Sequence, residues 1–95
     1  MGERESTNAP VRRVPASTSV VTLSSPNFYR VGFIIHNDSL SVLFVKFGPG
    51  ASDTDFTARL DSQGSFEHRT GRVYRGLVTG RWVAEDGAAQ VTELL

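Results

Sequence analysis

Alternation of apolar and polar residues, with a period of two, runs through most of this 95-residue chain. Short segments rich in Val, Phe, Thr and Ser carry the alternation, and clusters of Gly, Pro, Asn and Asp interrupt it roughly every 8–12 residues. The sustained 3.6-residue apolar period of an amphipathic helix is not found. The pattern therefore predicts an all-β protein, a small antiparallel β-sandwich or barrel of roughly seven to eight short strands.

Several segments carry the strand pattern, and turn residues connect them. They are residues 17–24, 28–37, 42–48, 56–60, 65–69, 73–84 and 88–94. The second and third segments are predicted to be the two arms of a β-hairpin, with Asn37-Asp38-Ser39 as its exposed turn. Residues 61–64 (DSQG) have the composition of a type I turn, and residues 85–87 (EDG) that of a hairpin turn.

One face of each predicted strand supplies the core, because side chains alternate between the two faces of a strand. The inward set is Val31, Phe33, Ile35, Leu43, Val45, Phe47, Phe56, Ala58, Leu60, Phe66, Val78, Trp82 and Val91. Ile34, Val42 and Phe44 remain on the reverse face of the predicted hairpin. A domain of this length has little chain left to cover a second face. These three residues are therefore expected to form an apolar contact surface for another subunit.

The first 16 residues differ from the rest of the chain. They are mostly polar, and Pro10 and Pro15 disfavour both a helix and a central strand. We therefore divide the chain into an extended N-terminal arm, residues 1–16, and a β-sandwich domain, residues 17–95. An extended arm needs a surface to lie on, so we expect it to contact a partner chain.

Charge is balanced over the chain, with ten basic and ten acidic residues. Zero net charge disfavours nucleic-acid binding through a general basic field. Within the arm, however, basic residues are in slight excess, and this excess suits either an acidic partner surface or solubility alone. The basic residues concerned are Arg4, Arg12 and Arg13. The absence of cysteine excludes disulfides and thiolate metal sites. No apolar stretch approaches the ~18 residues of a membrane span, and the N-terminus has no apolar core of a secretory signal.

The sequence gives little support for catalysis or for a bound cofactor. His36 and His68 lie in strand-like segments, and Glu67, next to His68, points to the opposite face of the strand. Asp53-Thr54-Asp55 has oxygen ligands suited to a weak Ca²⁺ site, but it lacks the glycine and distal glutamate of an EF-hand loop. Turn capping by the Asp side chains is the preferred interpretation. We therefore predict a protein that is not an enzyme and has no catalytic residues, metal or cofactor.

From about residue 30 to residue 93, the sequence resembles a group of short β-rich virion proteins of tailed bacteriophages. The shared features are a hairpin with Asn at its turn, a G-x-G-A-S loop, T-D-F-T, and Y-x-G-x-V-x-G-x-W followed by G-A-A-x-V-T-E. The matching positions are Gly32, Ile34, Asn37, Ser39, Leu43, Val45, Gly48, Gly50-Ala51-Ser52, Thr54-Asp55-Phe56-Thr57, Gly64, Phe66, Glu67, Tyr74, Gly76, Val78, Gly80, Trp82, Gly87-Ala88-Ala89 and Val91-Thr92-Glu93. The resemblance implies a virion structural protein and transfers no catalytic residue.

Within that class we expect a capsid decoration or cement protein, assembled in the host cytoplasm and located in the virion. It would bind the major capsid protein or other virion proteins through its arm and its apolar sheet face. A homo-oligomer is expected, and a trimer would match lattice symmetry. A tail, baseplate or fibre-attachment component is the alternative in the same class. The alternative from another class is a carbohydrate-binding module for host adhesion, in which Trp82, Tyr74 and Tyr29 would stack on sugar rings.

Overall fold

A computed structural model describes residues 8–68 and 73–95 of the chain. Its strands are β1 (Val11–Pro15), β2 (Val21–Ser24), β3 (Gly32–Ser39), β4 (Leu43–Phe47), β5 (Ala58–Leu60), β6 (Ser65–His68), β7 (Val78–Trp82) and β8 (Gly87–Leu94). They form two four-stranded antiparallel sheets, a first sheet in the order β1-β8-β3-β6 and a second in the order β2-β7-β4-β5. The predicted all-β class, with seven to eight short strands arranged as a small β-sandwich, is confirmed. Within the described residues, no helix is long and apolar enough to cross a membrane.

The core lies between the two sheets and contains most of the inward side chains that the alternation predicted, together with Val14, Leu23 and Ala89, which were not predicted. Phe33 and Ile35 of β3 face Leu43 and Val45 of β4 across it, and all four are fully buried. Their burial supplies much of the hydrophobic stabilisation, at roughly 1.5–3 kcal/mol for each large side chain. Leu60, Val78, Trp82 and Val91 are also buried, while Phe47, Ala58 and Phe66 pack at the margin. Two predicted core residues are exceptions, since Phe56 is 42% exposed and Val31, just before β3, is half-buried and outside the core cluster.

The predicted hairpin between residues 28–37 and 42–48 is wrong. β3 pairs with β6 and β8 in the first sheet, whereas β4 pairs with β5 and β7 in the second. The connection therefore crosses from one sheet to the other, and the large apolar faces of β3 and β4 meet across the core instead of side by side. Residues 85–87 make the same kind of crossing, from β7 to β8, and are not a hairpin turn.

Asn37, predicted to lie in an exposed turn, is a fully buried residue of β3. Its side-chain oxygen accepts hydrogen bonds from the Trp82 indole N–H at 3.0 Å and from the Ser39 hydroxyl at 2.7 Å. Its amide nitrogen donates to the backbone oxygens of Ser41, Leu60 and Asp61. A buried amide is tolerated only when its hydrogen bonds are made. Asn37 therefore links the first sheet to the second where the chain crosses between them.

The turn predicted at residues 61–64 is present, because the Gly64 N–H donates to the Asp61 oxygen at 2.8 Å. Its type differs from the prediction. Gln63, the third residue of the turn, has a positive φ of 63°. A type II turn requires a positive φ at its third position, whereas a type I turn has a negative φ there.

The structure does not separate an arm from a domain at residue 16. β1 pairs antiparallel with β8 from Val11 opposite Thr92 to Pro15 opposite Ala88. Beyond β1, the Leu95 N–H donates to the Asn8 oxygen, which continues the pairing. The part of the predicted arm from residue 8 onward is therefore an edge strand of the first sheet, a position where proline is tolerated. Residues 1–7 lie outside the described part of the chain.

Candidate functional site

The three apolar residues predicted to bind a partner do not form one surface. Ile34 lies on the outer face of the first sheet, beside Thr92 of β8 and Glu67 of β6. Phe44 lies on the outer face of the second sheet, because its neighbours in β4 point into the core. Val42, just before β4, is half-buried. Ile34 is thus on the opposite side of the sandwich from the other two.

The outer face around Phe44 is covered by the loop between β4 and β5. Phe44 is 9% exposed, and the ring of Phe56 lies over it with a centroid distance of 5.2 Å. The Thr79 hydroxyl holds the loop down by donating to the Gly48 oxygen at 2.6 Å and accepting from the Ala51 N–H at 3.3 Å. The chain therefore covers most of this apolar face itself, which explains why Phe56 is absent from the core.

The arginines predicted to face a partner are partly used within the domain. Arg4 lies outside the described residues. The Arg12 guanidinium donates to the backbone oxygens of Thr22 and Leu23, both at 3.1 Å. Since Arg12 belongs to β1 and its acceptors to β2, this side chain ties together the edges of the two sheets.

Arg13 forms an exposed ion pair with Asp38, with 3.0 Å between Nη1 and Oδ2. The ion pair joins β1 to β3 across β8, which lies between them. Ala88 of β8 points outward beneath this pair and is only 1% exposed. The hydrogen bond from Arg13, with a second one from Gln63, holds the pKa of the Asp38 carboxyl below its usual range. An exposed ion pair of this kind contributes little to stability.

Among the described strands, none pairs with the outer side of β1, so its backbone leaves an open edge. The Ala16 N–H donates to the Gly87 oxygen at 2.8 Å, and the Glu93 N–H donates to the Pro10 oxygen at 3.1 Å. The backbone N–H and C=O groups of the even-numbered residues in and beside β1 therefore point toward β8. In an antiparallel ladder, the N–H and C=O of one residue point to the same side. Those of Val11 and Arg13 therefore point away from β8. We call these outward backbone groups the open edge of β1.

At one end of the sandwich, the side chain of Arg30 is fully buried. It donates to the backbone oxygens of Ser25, Tyr74 and Gly76 and to the Ser24 hydroxyl, at 2.6–3.1 Å. Its Nε makes no hydrogen bond within the described residues, and lies 3.5 Å from Glu93 Oε2. A buried charge is stable only when paired and hydrogen-bonded. Arg30 consequently fixes the segment after β2 against the segment before β7.

The segment that Arg30 fixes presents two exposed aromatic rings. Phe28 and Tyr29 are 78% and 69% exposed, and their rings meet edge to face at 88°, with centroids 6.0 Å apart. The Asn27 side-chain oxygen accepts the Tyr29 N–H at 2.9 Å. The Arg75 guanidinium lies over the Phe28 ring, 5.5 Å from its centroid. We call Phe28, Tyr29 and Arg75 the aromatic tip.

The three aromatic residues considered for sugar binding are not brought together. Trp82 is 1% exposed, and its indole N–H is used by Asn37. Tyr74 is stacked on Phe47, with centroids 4.7 Å apart, at the margin of the core. Tyr29 alone of the three is exposed, so they cannot form one platform.

His36 and Ser65 form the arrangement closest to a catalytic one, on the outer face of the first sheet. His36 Nδ1 lies 2.7 Å from Ser65 Oγ, and Nε2 lies 3.2 Å from Gln63 Oε1. Since Oε1 only accepts, Nε2 carries a proton, and in the neutral imidazole Nδ1 then accepts from the Ser65 hydroxyl. A neutral amide stands where a catalytic triad has a carboxylate, so the charge that would stabilise an imidazolium is missing at that position.

The remaining candidates for chemistry have structural contacts. His68 Nε2 accepts the Tyr74 N–H at 3.1 Å, and the imidazole packs among Phe rings. In the loop considered for Ca²⁺, Asp55 forms an ion pair with Lys46, and the Ser52 hydroxyl accepts the Thr54 N–H at 3.3 Å. Across residues 8–68 and 73–95, no group of three or more His, Cys, Asp or Glu is placed to hold a metal ion.

Comparison of the chain with family models, with curated proteins and with solved structures gives no match. The function is therefore argued from the geometry. That geometry offers two surfaces to a partner, the open edge of β1 and the aromatic tip.

The sequence predicts an extended arm that contacts a partner for residues 11–15 and a strand for Phe28 and Tyr29, so it indicates neither the paired edge strand nor the exposed aromatic loop. The available signal was Ser25-Pro26-Asn27, whose turn chemistry ends β2 and indicates a loop before the next strand.

Proposed function

We propose that this chain is a non-enzymatic structural protein of a tailed-phage virion, and within that class a capsid decoration protein that binds the major capsid protein. The open edge of β1 is the observation that carries the proposal. A partner segment can add to this edge as a further strand, with affinity supplied by main-chain hydrogen bonds. The resemblance of residues 30 to 93 to phage virion proteins supports the choice of class.

The composition of β1 suits a short and selective strand addition. Pro10 and Pro15 flank the edge, and Pro15 has no N–H to offer, so Val11 and Arg13 supply the outward donors. Proline on an edge strand is also a common protection against indiscriminate edge-to-edge pairing. A capsid lattice repeats the same contact many times, and an oligomeric decoration protein would therefore bind firmly through individually weak contacts.

Proline at position 11 tests the proposal, because the Val11 N–H points away from β8. The Val11→Pro substitution removes one donor from the open edge and leaves the β1–β8 ladder intact. The matched control Val11→Ala shortens the same exposed side chain and keeps the N–H. Particles produced by the genome that encodes the chain are purified on a density gradient, and the copies of each variant per particle are counted by quantitative mass spectrometry.

Val11→Pro is expected to lower the number of copies per particle by about tenfold, and Val11→Ala by less than about twofold. Both variants should unfold at the urea concentration of the wild type, which checks that the fold is retained. Equal incorporation of all three proteins would show that the edge is not the contact.

A further inference from the structure

We propose that the aromatic tip is a second docking surface, and that it binds a protein segment carrying an aliphatic side chain next to an acidic one. The identification of that protein as a component of the virion rests on the proposed function. The shape and the charge of the tip determine the chemistry of the partner.

The tip is preorganised, since hydrogen bonds from both of its flanks hold it in place. The Asn27 N–H donates to the Arg75 oxygen at 2.9 Å, and the Arg30 N–H donates to the Asn27 oxygen at 3.2 Å. The buried Arg30 guanidinium fixes the same segment from below. The loop therefore loses its conformational entropy when the protein folds. A partner that binds there has a smaller entropy cost than one that must first order the loop. Rigid Tyr and Arg side chains are typical of the residues that dominate binding energy.

The shape of the tip favours an aliphatic side chain over a sugar. A sugar ring packs parallel to the face of an aromatic ring, and a sugar chain needs several such faces in one plane. Phe28 and Tyr29 are perpendicular, and the Arg75 guanidinium already lies over the Phe28 ring. Two perpendicular rings instead form a corner, which a branched aliphatic side chain such as Leu or Ile fits.

The charge of the tip favours an acidic side chain in the partner. Arg75 donates through Nε to the Arg30 oxygen at 3.0 Å, and within the described residues no acceptor is bonded to its two Nη groups. Glu93 is an acid at this end of the sandwich, but its two oxygens accept hydrogen bonds from Ser24 and Asn27. The Nη groups of Arg75 can therefore form a bidentate pair with a carboxylate of a partner.

Photocrosslinking tests which partner occupies the tip. Phe28 is replaced by p-benzoylphenylalanine in the full chain, and purified particles are irradiated. We expect a crosslink to a virion protein at an aliphatic residue that has an Asp or Glu within about two positions, since an extended strand alternates its side chains. A chain that enters particles but crosslinks to no protein, or to a segment without an acid, would overturn the tip proposal and leave the proposed function standing. A wild-type chain that never enters particles would overturn both.

Substitution of the tip provides the second test. Phe28→Ser and Arg75→Gln are each expected to lower the copies per particle by roughly tenfold, as truncation at the centre of an interface does. Arg81→Gln is the matched control, because Arg81 is likewise exposed and donates through Nε to one backbone oxygen, that of Thr18. Full incorporation of both tip variants, or an equal loss in Arg81→Gln, would contradict the proposal.

Discussion

Replacing Asn37 by leucine should destabilise the protein by about 2–4 kcal/mol, although the two side chains have nearly the same shape. The Ser39 hydroxyl can turn to the Ser41 oxygen, 3.0 Å away, and the Asp61 oxygen keeps the Gly64 N–H. The Trp82 indole N–H has no such replacement, and Trp82 is only 1% exposed. An unsatisfied buried donor costs about 1–3 kcal/mol, and the other lost hydrogen bonds of Asn37 add about 1 kcal/mol.

A double-mutant cycle isolates the Trp82 contribution. In the Trp82→Phe background the orphaned donor is absent, so Asn37→Leu should cost about 1–2 kcal/mol less than in the wild type. Urea unfolding, monitored by far-ultraviolet circular dichroism, measures the free energy of unfolding in both backgrounds. Tryptophan fluorescence is unsuitable, because Trp82 is the only tryptophan of the chain and is absent from the Trp82→Phe background. An equal loss in the two backgrounds, or a loss below about 0.5 kcal/mol in the first, would refute the account of Asn37 as a link between the sheets.

Three further predictions concern the ends and crossings of the sandwich. Arg30→Met should destabilise the protein by about 3 kcal/mol, because Glu93 loses its ion pair and the backbone oxygens of Ser25, Tyr74 and Gly76 lose their donor. Limited chymotrypsin digestion should then cut sooner after Phe28, and unchanged cleavage would contradict the role given to Arg30. Gly87→Ala should lower the free energy of unfolding by about 1–3 kcal/mol, since φ is 147° and a Cβ would lie 2.4 Å from the Asp38 oxygen; a thermal melt equal to that of the wild type would contradict this. Because the folded-state pKa of Asp38 is lowered, its ion pair stabilises the fold above the unfolded pKa of about 3.9, and that contribution is lost as the pH falls through the folded value. An NMR titration should show that Arg13→Ala raises the pKa of Asp38, and an unchanged titration would contradict the ion pair.

The alternation of side chains was sufficient to predict the inward faces of β3 and β4. It does not indicate which strands share a sheet, since a hairpin and a crossing between sheets bury the same side chains. Asn37 shows why the prediction failed. Asparagine is a common turn residue, and here its buried position depends on Leu60 and Trp82, which lie far along the chain.

The candidate surfaces were hidden from sequence reasoning for similar reasons. Pro10 and Pro15 argue against a strand in general, yet both positions are compatible with an edge strand whose ladder uses the other residues. The exposure of Phe28 depends on Arg30, whose acceptors at Tyr74 and Gly76 come more than forty residues later. Neither the pairing of β1 with β8 nor the contacts of Arg30 with Tyr74 and Gly76 can be read from the local composition of the sequence.

The number of copies of the wild-type chain in a purified particle tests the central claim most directly. Mass spectrometry with isotope-labelled standard peptides gives that number relative to the major capsid protein. A decoration protein that follows the capsid lattice should be present in on the order of hundreds of copies, whereas a tail or baseplate component would be present in roughly three to twelve. Particles that contain no copy of the chain would contradict the proposal that it is a virion structural protein.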